Sequence, residues 1–81
     1  MTPAELRRIS LVRALVVNGK ARDQRKLRHL SLKEVADAIG TSQSTVHRWE
    51  AGETVPSAAN ALQWAEALGV VSDDSTLQVA R

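Results

Sequence analysis

With 81 residues the chain makes one small domain at most, and a chain this short buries only about 60% of the surface it exposes unfolded, so the core must be lean. It contains no cysteine, which excludes a disulfide framework, a thiolate nucleophile and any Cys-containing zinc site, and it suits a reducing cytoplasm. The net charge of +2 hides an asymmetry: residues 1–33 hold nine Lys/Arg against Glu5 and Asp23 (+7), and residues 34–81 hold two against seven Asp/Glu (−5). Phe and Tyr are absent and Ala, Leu and Val dominate, so aliphatic helical faces are expected rather than aromatic-rich strands, and the fold class is all-α with four to five short helices.

Thr2 is placed to cap a first helix with Pro3 at its opening position, and the apolar pattern runs to Val17 before Asn18-Gly19 breaks it, giving an N-terminal helix over about 3–18. The early charges Glu5, Arg7, Arg8 and Arg13 leave room for neither a signal peptide nor a membrane span. On a helical wheel Ile9, Leu11, Val12, Leu15 and Val16 cover an arc wider than one core-facing stripe. That breadth predicts burial on two sides, with Ile9, Val12 and Val16 contributing to a contact with a second chain. Residues 20–28 are polar but hold no breaker, which fits either a second helix or a continuation past a glycine kink. Their block of Lys20, Arg22, Arg25, Lys26 and Arg28 is offset only by Asp23; it suits a nucleic-acid surface or a solvated helix face equally well.

From Ser31 the signals sharpen. Ser31 and Glu34 have capping-box spacing, Leu32, Val35, Ala36 and Ile39 repeat at three and four, and Gly40 supplies a left-handed stop. Thr41 or Ser42 then caps a helix over about 43–50, closed by Gly52. Pro56 and Ser57 open a last helix whose Ala58, Ala61, Leu62, Ala65 and Leu68 share a face and which Gly69 ends. The tail, 70–81, fits a fraying helix or an edge strand, with Asp73 and Asp74 as solvated charges.

The segment 43–50 has only Val46 and Trp49 to hold it against a core. At about 100° per residue, Gln43, Ser44, His47 and Arg48 fall on the opposite arc, and all four side chains hydrogen-bond. A helix fits the DNA major groove, so this row is a candidate reader of base edges. Trp49 and Trp64 are most simply core. His47 as a metal ligand lacks partners, since His29 lies in another element and no Cys or paired acid stands at ligand spacing. Ser44, His47 and Glu50 are triad residue types, but one helix carries all three with no oxyanion donors. No catalytic residue, metal, cofactor or small-molecule ligand is therefore expected, and no enzyme.

The stretch "LKEVADAIGTSQSTVHRWEAG" resembles the helix-turn-helix of the phage repressor and Cro type, the XRE family, and the likeness extends over about residues 21–69. Ala36 fills the small-residue slot, Gly40 the turn, and Val35, Ile39, Val46 and Trp49 the apolar slots; Thr41 departs from the family as more polar than usual. The resemblance implies a lambda-repressor-like domain spanning 1–81, with a helix-turn-helix core at about 31–52 and an extra N-terminal helix. It implies base contacts from Gln43, Ser44, His47 and Arg48, and backbone phosphates at the amides of Ser31 and Leu32. Lys26, Arg28, Thr41 and Ser42 are expected as further phosphate contacts, and Arg25 and Glu50 match a structural ion pair. The implied function is a Cro-like repressor that occupies an inverted-repeat operator in duplex DNA as a homodimer, and the short tail after the last helix favours the stand-alone Cro-like form. The alternative is an antitoxin-type or other protein-interaction module in which the helix 43–50 docks on a protein, although such a helix would be expected to carry apolar or aromatic anchors where this one is polar.

Overall fold

The computed structural model describes residues 1–70, and the tail reading, with Asp73 and Asp74, falls on residues outside them. The described chain is all-helical: α1 (Pro3–Val17), α2 (Ala21–Leu27), α3 (Leu32–Ile39), α4 (Gln43–Glu50) and α5 (Ala58–Leu68). Each boundary has a local cause. Thr2 and Glu5 close a capping box on α1: the Thr2 amide donates to Glu5 Oε1 at 2.8 Å and the Glu5 amide to Thr2 Oγ1 at 3.1 Å. Ser42 caps α4 and Ser57 caps α5 through the Thr45 and Asn60 amides. Between α3 and α4, Gly40 adopts φ +85°, a left-handed conformation natural to glycine, and its amide donates back to the Ala36 carbonyl at 2.8 Å. The two helices therefore meet at a short fixed turn.

The alternatives left open for residues 18–29 resolve as a break and a separate helix. Asn18 and Gly19 end α1, and α2 starts afresh with no side-chain cap. His29, between α2 and α3, is the non-glycine residue with positive φ (56°) among the described residues. A left-handed conformation costs an L-residue roughly 1–2 kcal/mol, and here it lets the Leu30 amide fold back onto the Arg25 carbonyl at 3.3 Å.

The core joins all five helices: α1 packs chiefly on α5, and α3 packs on both α4 and α5. At its centre Trp64, fully buried, meets Trp49 with ring centroids 5.1 Å apart and planes tilted by 39°. Such an aromatic pair adds about 0.5–1.5 kcal/mol beyond the area it buries.

This packing corrects the expectation of a subunit contact at Ile9, Val12 and Val16. The three are 1%, 0% and 3% exposed within the single chain, so no part of them remains for a partner. The wheel arc is split between fates. The stripe at spacings three and four faces the core, Leu15 packs partly against it, Leu11 is half-buried, and Leu6 and Val17 stay exposed. Counting apolar residues gives the breadth of an arc but not the number of neighbours that cover it.

Candidate nucleic-acid interface

Two devices fix α4 against the rest of the chain. Val46 and Trp49 enter the core, and on the side facing α2 the buried carboxylate of Glu50 is gripped by Arg25. Arg25 Nε donates to Glu50 Oε2 at 2.6 Å and Nη2 to Oε1 at 3.2 Å, a two-point grip that fixes direction as well as distance. Its remaining Nη1 donates to the Leu30 carbonyl at 2.8 Å. One guanidinium thus ties α2, the α2–α3 connection and α4 together. With both side chains under a tenth exposed, removing either partner would leave a buried charge uncompensated.

So anchored, α4 leaves Gln43, Ser44, His47 and Arg48 exposed on its outer face. The four line one shallow hollow of about 410 Å³ with Leu32 and Glu53. A neighbouring hollow of about 250 Å³ between α2 and α4 is lined by Arg22, Arg25, Leu32, His47, Glu50 and Ala51. Leu32 and His47 border both hollows. Sequence reasoning gave Arg22 only as a member of the basic block over residues 20–28 and did not name Glu53. Arg22 lies one turn before Arg25 and so shares its side of α2, a second signal for it.

The expected phosphate contacts are in different situations. Lys26 and Ser42 are exposed, Leu32 and Thr41 half-buried. The Ser42 hydroxyl accepts from the Thr45 amide at 3.1 Å and lies 2.9 Å from Thr45 Oγ1. Arg28 turns back along its own helix, Nη1 donating to the Gln24 carbonyl at 2.9 Å and to Gln24 Oε1 at 2.8 Å. Ser31 is engaged at both ends. Its amide donates to Glu34 Oε1 at 2.8 Å, and its hydroxyl accepts from the Glu34 amide at 3.0 Å. Hydrogen bonds from the Ser31 amide and then its side chain hold the Glu34 carboxyl below the ordinary carboxylate range. The amino end of α3 therefore already faces a negative charge.

The helix-turn-helix family model matches residues 22–74, covering α2 through α5. The chain belongs to the Cro/XRE-type helix-turn-helix family. Neither the curated proteins nor the solved structures yield a match. Within this family α3 and α4 are the helix-turn-helix, and the chain is a DNA-binding transcription regulator whose partner is duplex DNA. The family is a regulatory one rather than a group of enzymes. The helix-turn-helix match begins after α1, although α1 supplies three residues of the core. No helix among the described residues is long and apolar enough to cross a membrane.

Proposed function

We propose that the chain is a Cro-like repressor that reads an inverted-repeat operator as a homodimer and acts by occupying it. Gln43, Ser44 and Arg48 face base edges, with His47 at the border of the reading surface; Gln43 makes the two-point amide pair to adenine N6 and N7, a contact that discriminates by about 1–3 kcal/mol. Lys26, Thr41, Ser42 and the Leu32 amide meet the backbone on either side. Ser31 and Arg28 reach a phosphate only by leaving Glu34 and Gln24, so they rank behind the others.

The observation that carries this reading is the contrast on α4 between a buried side clamped by Arg25 and an outer face that is wholly polar and exposed. Dimerisation is supported by size. Eight residues of helix rise only about 12 Å, a span of roughly three to four base pairs, and the specificity of known repressors comes from two such helices one DNA turn apart. Since Ile9, Val12 and Val16 are core, the subunit contact belongs to other residues. A binding-site selection on randomised duplex, followed by sedimentation of the free and bound protein, tests both parts. An inverted repeat bound by two copies is expected; an asymmetric site bound by one copy would overturn the homodimer.

A further inference from the structure

We infer that Arg13, on the helix that lies outside the family match, is a positioning residue for the far end of the reading helix: it holds the exit of α4 at Pro56 and so sets where Arg48 meets the duplex. This role rests on the reading of Arg48 as a base contact.

The two ends of α4 are fixed by different parts of the chain. The end bearing Gln43 is set by the Gly40 turn and the Ser42 cap. The end bearing Arg48 closes on the segment that follows it. The Ala51 amide donates to the His47 carbonyl at 2.9 Å, the Gly52 amide to that of Trp49 at 3.1 Å and the Glu53 amide to that of Arg48 at 2.9 Å. With Gly52 at φ +77°, the last two bonds make the paired stop of a helix that ends in a left-handed residue. Where residues 51–53 are held, the last turn of α4 is held with them.

That segment runs against α1. A methyl built on Gly52 would stand 3.7 Å from the Val16 carbonyl oxygen, and the carbonyl of the buried Pro56 accepts from Arg13 Nη2 at 3.4 Å. Ser57, the next residue, caps α5, so the exit of α4 is pinned between α1 and α5. Arg13 is ill-rewarded for this. Its bond to Pro56 is at the long limit of a hydrogen bond, its Nε is buried with no partner, and among the described residues it makes no ion pair. Arg25, by contrast, engages Nε, Nη1 and Nη2. A buried donor left unpaired costs stability, and a residue that breaks this rule points to a purpose other than stability. The purpose that the geometry offers is the exit of α4. A slide of roughly half an ångström takes a hydrogen bond of ordinary length out of range, which is enough to misplace Arg48 on a base edge. Gln43, about 7.5 Å away along the axis and fixed from the Gly40 side, is spared.

The test is binding-site selection from randomised duplex with wild type, Arg13→Met, Arg13→Lys, Arg48→Ala, the Arg13→Met/Arg48→Ala double variant and, as a control elsewhere on α1, Arg8→Met, each with a thermal melt. Arg48→Ala marks the position that Arg48 reads. Arg13→Met should relax that same position roughly fivefold, the lower end of what one base contact discriminates, and leave the adenine preference set by Gln43 as in wild type. It should melt close to wild type and keep the wild-type salt slope on random duplex, because Arg13 meets no phosphate. Arg13→Lys keeps a donor on a similar stem and should retain the preference, and Arg8→Met should change nothing. Since Arg13 acts through Arg48, the double variant should relax the position no further than Arg48→Ala alone. If Arg48→Ala relaxes no position, Arg48 is no base reader, and that reading and this role fall together. If Arg48→Ala relaxes one position while Arg13→Met relaxes none, or adds to it in the double variant, or lowers the salt slope by about 0.9 as a lost phosphate contact would, the positioning role alone falls. An Arg13→Met protein that does not fold, or that melts well below wild type with every preference intact, would make Arg13 a structural anchor and overturn the role as well.

Discussion

Helices α1 and α4 divide the work of the chain in opposite ways. The 15 residues of α1 place Ile9, Val12 and Val16 in the core and lie outside the helix-turn-helix match. The eight residues of α4 bury only Val46, Trp49 and the Arg25-bound Glu50, leave Thr45 half-buried and keep Gln43, Ser44, His47 and Arg48 exposed. A helix that must enter a groove cannot also be wide on its buried side. Its hold is supplied from elsewhere, by the turn at Gly40, by the pair with Arg25 and by the Trp49–Trp64 contact, and the mass it leans on is α3, itself packed on α5.

The largest effects should come from the shared foundation. Trp64→Ala should cost about 3–5 kcal/mol by thermal or denaturant unfolding, and Ile9→Ala about 2–5 kcal/mol, with binding lost only in proportion to unfolded protein. If Ile9→Ala instead changed the oligomeric state at full stability, α1 would be an interface after all. Arg25→Ala leaves a buried carboxylate unpaired and should cost about 3–5 kcal/mol, weakening every DNA sequence alike without changing the preferred base. Altered base preference in a fully stable Arg25→Ala protein would mean that the anchoring and reading sides of α4 have been exchanged.

Smaller effects sharpen the contrast at the helix ends. His29 sits at φ 56°, so His29→Gly removes a left-handed strain and should raise stability by about 0.5–1 kcal/mol; a loss on denaturant titration would show that the His29 side chain contributes more than its backbone costs. The least effect should be that of acid on the capping boxes. Glu5 and Glu34 have carboxyl groups held below their ordinary value of 4.5 by hydrogen bonds from Thr2 and Ser31. A carboxyl lowered by folding stabilises fully above its unfolded value and less as pH falls through its folded value. Stability should therefore decline below about pH 4.5, and Glu34→Gln should lose less than wild type over that acid range. An identical acid profile for the two proteins would show that the α3 box contributes nothing.

Much of this division was legible in the sequence because its causes are local. Thr2, Ser31, Ser42 and Ser57 stand one residue before their helices, and Gly40 and Gly69 stop two of them. The outer row of α4 follows from helical periodicity alone. What needed the structure was whatever depends on a second element. The apolar breadth of α1 did not say that the chain's own core covers Ile9, Val12 and Val16. The pairing of Arg25 with Glu50 came from family resemblance, since 25 residues separate them. The spacing of Ser31 and Glu34 was readable as a capping box, yet that box occupies the same Ser31 amide expected to meet a phosphate. Arg22 drew no attention beyond its basic block because the hollow that it lines forms only where α2 and α4 meet.

The central claim is that the outer face of α4 reads bases while the chain behind it only holds it in place. Its most direct test is binding-site selection from randomised duplex by wild type and Gln43→Ala, with a thermal melt of each. Gln43→Ala should melt with the wild type and recover the same operator, except that the preference for adenine relaxes at one position of each half-site by about 1–3 kcal/mol. An operator recovered with every position unchanged, or a Gln43→Ala protein that unfolds, would contradict the claim.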